Sequence, residues 1–231
     1  VLRRAADYLS WRSQYHLAES LYRRVIRLQE QTFGSAHGTV ASAFDGLARL
    51  SQVQGKYEQA ESLYQQALHI WEQTVGPEHL YLARSLNSLA VLSFTQANYT
   101  QAERLHQRAL HILERALGPE HPDLAHPLND LANLYSEQGK DEQAERCYER
   151  ALRIWENAFA SEHHDLAYPL TNLADLYREQ GKDEQAERCY ERALRIWEHT
   201  LGSEHPLLAY PLDGLAALCA HQGKDEQAER Y

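Results

Sequence analysis

The sequence repeats itself every 42 residues, and this recurrence restricts the fold more than any local motif does. Glu137–Glu156 reads EQGKDEQAERCYERALRIWE, and Glu179–Glu198, 42 positions later, is identical over all twenty residues. Gln222–Arg230 begins the same text again, Gln54–Trp71 and Gln96–Leu113 are weaker copies, and Ser13–Leu28 is a more divergent one in the same phase. A unit of this length is one supersecondary element that cannot bury its apolar surface alone. Stacking such units side by side makes one continuous core.

Each unit reads as two helices. In Tyr99–Leu117, the residues Ala102, Leu105, Ala109, Leu110 and Leu113 fall on one stripe with the 3.6-residue helical period. Glu142/Arg146 and Glu149/Arg153 stand four apart with the acid first, the favourable order for a helix surface. Gly118, with Gly34, Gly76 and Gly202 in phase, is placed to end the helix as a left-handed C′ residue, while Ala160 breaks that rule. Pro122 and Pro206 then stand where the next helix would begin. That helix carries Leu-x-x-Leu-Ala, as at Leu86/Leu89-Ala90, Leu128/Leu131-Ala132, Leu170/Leu173-Ala174 and Leu212/Leu215-Ala216, and a short Gln-Gly-Lys turn closes the hairpin. Pro127, Pro169 and Pro211 lie about six residues into the first helices, where a missing N–H should kink the helix or delay its start.

Charge and chemistry exclude several functions. A net charge of -10 argues against nucleic acid, because phosphate binding needs a cationic surface. No apolar run approaches the roughly 20 residues that span a bilayer, and no apolar segment follows the basic Val1–Arg4 as a secretory signal would require, so a cytoplasmic location and no membrane partner are expected. Cys147, Cys189 and Cys219 are odd in number and lack a C-x-x-C partner, which suits reduced thiols. His79, His121, His163 and His205 recur once per inter-helix turn, so stacking should hold them roughly 10 Å apart, too far to share a metal, and a capping or turn-bonding role is expected. His163 and His164 are adjacent and are not expected to converge; His106 and His111 are five apart, poor spacing for a shared ion. The Gly-Lys of QGKDEQ lacks the phosphate-loop spacing, and G-x-S-x-G, H-E-x-x-H and C-x-x-C do not occur. Neither an enzyme nor a cofactor or metal site is expected. Trp71, Trp155 and Trp197 recur at one position and read as core.

Small and aromatic residues at Leu89, Ala90, Tyr99, Ala102 and Ala109, and at Leu131, Ala132, Gly139, Ala144 and Ala151, resemble the tetratricopeptide repeat. The 42-residue period, and Leu-Gly-Pro-Glu-His-Pro at Leu117–Pro122 followed by Leu-Asn-x-Leu-Ala at Leu128–Ala132, are similar to the kinesin light chain subtype. Asp141, Asp183 and Asp225 depart from it, standing where that family has an aromatic residue, near a helix N-terminus that favours a carboxylate. The near-identical later copies look like recently duplicated bacterial repeats. The resemblance implies an all-α, right-handed superhelical solenoid of stacked antiparallel helix pairs. It would form a single array over 1–231, with second helices beginning near 15, 57, 99, 141 and 183 and a truncated one near 225.

The resemblance also implies that the first helices line a concave groove receiving a peptide or partner protein. Residue by residue, that groove holds Ser42, Asp45, Arg49 and Gln52, then Arg84, Asn87, Val91 and Phe94. His126, Asn129, Asn133 and Ser136 follow, then Tyr168, Thr171, Asn172, Asp175 and Arg178, and finally Tyr210, Asp213 and Ala217. Asn87, Asn129, Asn133 and Asn172 are either a ladder of amides for a peptide backbone or amides bonded between neighbouring helices. Arg49 and Arg84 suit an acidic side chain or a C-terminal carboxylate, and Asp175 and Asp213 a basic one. His126, Tyr168 and Tyr210 either anchor apolar ligand groups or pack against the proline kink. A regulatory or sensor arm of a larger signalling protein, such as a nucleotide-switch ATPase, and a structural spacer are the competing functions. Val1 opens inside a helix and Tyr231 ends inside another without polar caps, which reads as a piece of a longer array able to stack end to end.

Overall fold

The computed structural model describes residues 2–159, 163–224 and 228. Ala160, Asp225 and the truncated last helix expected near 225 lie outside the described residues. Contacts gather into two units, Val1–Gly118 and Pro119–Tyr231. The first holds α1 (Leu2–Trp11), α2 (Tyr15–Phe33), α3 (Gly38–Val53), α4 (Tyr57–Thr74), α5 (Leu80–Thr95) and α6 (Tyr99–Leu117). The second holds α7 (Ala125–Glu137), α8 (Asp141–Ala158), α9 (Ala167–Glu179), α10 (Asp183–Leu201) and α11 (Ala209–His221). Described residues form no strand, and the fold is all-α. In each unit the helices form hairpins, α1 with α2, α3 with α4, α5 with α6, α7 with α8 and α9 with α10. First helices also meet across repeats: α3 touches α1 and α5, and α9 touches α7 and α11.

The core follows from the repeat. Ala18, Ala60 and Ala102 in one unit, and Ala144 and Ala186 in the other, stand in phase and are completely buried. Leu47-Ala48, Leu89-Ala90, Leu131-Ala132 and Leu173-Ala174 are buried opposite them. The alanines let helices approach closely and the leucines fill the space beside them. Each buried leucine contributes about 2 kcal/mol of apolar burial, and enlarging an alanine would force the helices apart.

Local chemistry sets the helix ends. His37, His79, His121, His163 and His205 each stand at the N-cap before a first helix or its leading turn, and each side chain accepts from the backbone N–H two residues on. The recurring histidines therefore cap. The helices that carry the prolines start late. Pro122–Leu124, His164–Leu166 and Pro206–Leu208 form 3₁₀ turns, and α7, α9 and α11 begin only at Ala125, Ala167 and Ala209. Pro127, Pro169 and Pro211 thus occupy the third helical position, where a backbone N–H has no partner within the helix. In α5, which lacks the proline, the α-helix already starts at Leu80.

Glycine behaves in two ways. Gly34, Gly118 and Gly202 have φ of 87°, 94° and 89° as expected, but ψ near 159°, 159° and 158°, in the mirror-extended region and not the left-handed helical one. The left-handed position is the hairpin turn, where Gly55, Gly139 and Gly181 have φ of 72°, 67° and 70°. There the following residue closes a six-residue turn, as Lys56 N–H does on Ser51 O at 2.9 Å. On the surface, Arg146 stands 3.9 Å from Glu142 as expected, while Arg153 reaches Glu120 on the preceding turn. The three cysteines are free thiols, and burial pushes Cys147 up to about 11.

Candidate functional site

Within each hairpin a polar pair ties the second helix to the first. Tyr22, Tyr64, Tyr148 and Tyr190 recur in phase on the second helices, with His106 taking the same place in α6. Each bonds a polar residue of its own first helix. Tyr22 donates to Asp7, Tyr64 to Gln52 Oε1 at 3.2 Å, Tyr148 to Asn133 Oδ1 at 2.6 Å and Tyr190 to Asp175 Oδ1 at 2.5 Å. His106 Nδ1 meets Asn87 Oδ1 at 2.8 Å. Burial raises all four phenols above the ordinary tyrosine range, so they act as neutral donors. Asn87, Asn133 and Asp175 of the expected groove are therefore each held by a second-helix partner. The column was readable as a repeat position, but its partners were not.

In the first unit, Asp45, Arg49 and Arg84 line one cleft of about 1130 Å³ together with Ser42, Arg3, Arg4 and Asp7. Asp45 accepts from Ser85 Oγ at 2.7 Å and from Trp71 Nε1 at 3.2 Å. Burial raises its carboxyl above the usual range, while Ser85, Trp71 and the charges of Arg49 and Arg84 oppose that shift. Arg49 stands 3.8 Å from Asp7 with more than half of its side chain exposed, and Arg84 is exposed. Four guanidiniums thus face two carboxylates, one already occupied by Trp71 and Ser85, in a chain whose net charge is -10. Gln29 also lines the cleft, at the position where later repeats carry Trp71, Leu113, Trp155 and Trp197. Its Oε1 is buried with no hydrogen-bond partner among the described residues. Arg3, Arg4, Asp7 and Gln29 were missed in sequence reasoning; for Gln29 the signal was the one polar residue at a repeat position that otherwise holds Trp or Leu.

In the second unit the amides bond one another between α7 and α9. Asn172 Nδ2 donates to Asn129 Oδ1 at 3.2 Å and to Asn133 Oδ1 at 3.0 Å. Asp175 is further held by Arg178 at 3.5 Å, and Asp213 on α11 is exposed. His126 and Tyr168 stand edge-on to Trp155 and Trp197 of their paired second helices, at centroid distances of 4.7 and 5.2 Å, and not against a kink. Tyr210 is 64% exposed. Trp197 Nε1 is buried without a hydrogen-bond partner among the described residues, because Thr171 replaces the acceptor that Asp45 gives Trp71 and turns its hydroxyl to Ala167 O at 2.8 Å.

One expectation about metals is overturned. The ligand atoms of His163, His164 and Asp165 lie within 4.8 Å of one another. They converge because His163 is extended, with its ring folded back onto the Asp165 N–H, while His164 opens the 3₁₀ turn beside it.

A sequence model described as the tetratricopeptide repeat matches residues 39–114, 87–157, 139–198 and 165–231, and a second model of that description matches 2–38. Among solved structures, BtubC (BKLC) from P. vanneervenii is 27% identical, covering 87% of this chain and 80% of its own, with a TM-score of 0.76. A Podosopora anserina putative kinesin light chain with nearly identical TPR-like repeats is 25% identical, covering 87% and 96%, with a TM-score of 0.71. The apo form of RapI shares the fold at 16% identity and a TM-score of 0.77, over 99% of this chain and 60% of its own. No curated protein matches in sequence.

Proposed function

Because the chain belongs to the tetratricopeptide repeat family, a scaffold for protein interaction, we propose that it holds a peptide or a partner's segment in the cleft of its first unit. The carrying observation is the set of four arginines, Arg3, Arg4, Arg49 and Arg84, around about 1130 Å³ that also receives the buried, unpartnered Gln29 Oε1. Guanidiniums bind carboxylates in a bidentate fashion, and Gln29 Oε1 accepts one N–H from a ligand. The chemistry selects a segment carrying an acidic side chain or a C-terminal carboxylate. The described helices include none long and apolar enough to cross a membrane.

The test is a peptide array or pull-down with the whole chain, repeated with Arg49→Ala and Arg84→Ala together and with Asn87, Asn129 and Asn133 changed to Ala. Acidic ligands should be retained by the wild type and lost at least tenfold in the arginine variant. Equal retention by both variants rules out the groove.

A further inference from the structure

The geometry points to a site for a divalent transition-metal ion, zinc being the probe of choice, formed by His163, His164 and Asp165 at the start of the turn before α9. Asp165 Oδ1 stands 3.2 Å from His164 Nε2, and its Oδ2 stands 3.7 Å from His163 Nδ1. Ligands bound tetrahedrally at ~2.1 Å are about 3.4 Å apart. The three ligand atoms, all within 4.8 Å of one another, draw together by side-chain rotation to share one ion. Imidazole and carboxylate are also a donor set that zinc accepts.

The surroundings fix the donors. His163 is stacked on Phe159 at a centroid distance of 4.4 Å, which orients its ring. Its Nδ1 accepts the Asp165 N–H at 3.4 Å, a capping contact that a bound ion would replace. From α7, His126 Nε2 stands 3.9 Å from Asp165 Oδ2, the same oxygen that faces His163, and adds a third imidazole beside the carboxylate. Asp165 is 23% exposed and His164 52%, so an ion and its remaining water reach the site from solvent. The other repeats lack the combination: His121 and His205 are each followed by proline, and His79 by leucine.

That contrast supplies a variant that keeps the fold. His164→Pro restores the His-Pro of positions 121–122 and 205–206, and Asp165→Leu restores the leucine of position 207. Zinc chloride is titrated calorimetrically into the whole chain, with cobalt absorption in the visible range as a second readout. The wild type should take up one ion more tightly than its remaining histidines do and show a tetrahedral cobalt band. Each variant should keep its helical circular dichroism, lose the band and bind that ion at least tenfold more weakly. Zinc should raise the wild-type unfolding temperature more than that of either variant. Binding that is equal in wild type and variants, or the absence of a saturable first site, overturns the proposal.

Discussion

His106 is the residue that departs from its column. Where the other repeats bury a tyrosine, whose hydroxyl stays neutral across the physiological range, α6 buries an imidazole at 1% exposure. Burial lowers its pKa from 6.5 to about 4. The folded chain therefore keeps His106 neutral while the unfolded chain takes up a proton below 6.5. The stability it contributes is present above that value and is lost as the pH falls towards 4, by an amount on the order of 3 kcal/mol. The urea midpoint of the wild type should fall between about pH 7 and pH 4.5 more steeply than that of His106→Tyr, which restores the residue of the other repeats. Parallel pH profiles would show that His106 does not set the slope. Asp45 works in the opposite direction, since a carboxyl raised by burial is relieved by protonation as pH falls. A second residue-scale prediction concerns Trp197, whose buried N–H has no partner among the described residues. Thr171→Asn places there the residue of the preceding repeat, Asn129, and a recovered hydrogen bond should stabilise the chain by about 1 kcal/mol in a denaturant titration.

At the scale of the element, helix ends show most clearly what sequence does and does not reveal. Histidine as an N-cap works through one lone pair on Nδ1, so His121→Ala should cost about 1 kcal/mol, while His121→Asn, which keeps an acceptor, should cost little. Unfolding curves of the two variants separate a cap from simple packing, since packing would penalise both. Ala97 has φ 57° where the other described hairpin turns, apart from Ser13, carry glycine. Ala97→Gly should therefore stabilise the chain by about 1 kcal/mol, read from the same curves. Helices, hairpin turns and the buried Leu-Ala columns were legible because a 42-residue period repeats the apolar pattern and punctuation in phase. What was not legible depended on side-chain reach. Delay or kink at Pro127, and ligand or neighbouring amide for Asn172, stood as alternatives that only the 3₁₀ turn Pro122–Leu124 and the distance between α7 and α9 separate. In the cleft, Asp45, Arg49 and Arg84 are positions that the family resemblance implies for a groove, whereas Arg3, Arg4 and Gln29 are not. Those arise from an earlier helix and from a position that elsewhere holds Trp or Leu.

For the molecule as a whole, second helices of recurring text, near-identical in α8 and α10, alternate with first helices that differ, so repeats of similar text acquire different physical properties. Residues 137–156 and 179–198 are identical, yet Tyr148 bonds an amide and Tyr190 a carboxylate, and Trp155 meets a histidine where Trp197 meets a tyrosine. In an array each repeat contacts only its neighbours, and stability is nearly a sum of local terms. The acid penalty of His106 should then stay local to the hairpin of α5 and α6. Hydrogen exchange of the whole chain, corrected for the intrinsic pH dependence of the rates, can test this peptide by peptide. Between about pH 7 and pH 5, peptides from residues 99–117 should lose protection, while those from 141–158 and 183–201, whose columns hold tyrosine, should keep theirs. His106→Tyr should abolish the difference. If protection falls uniformly along the chain, the repeats unfold as one cooperative body and the histidine's cost is shared by all of them.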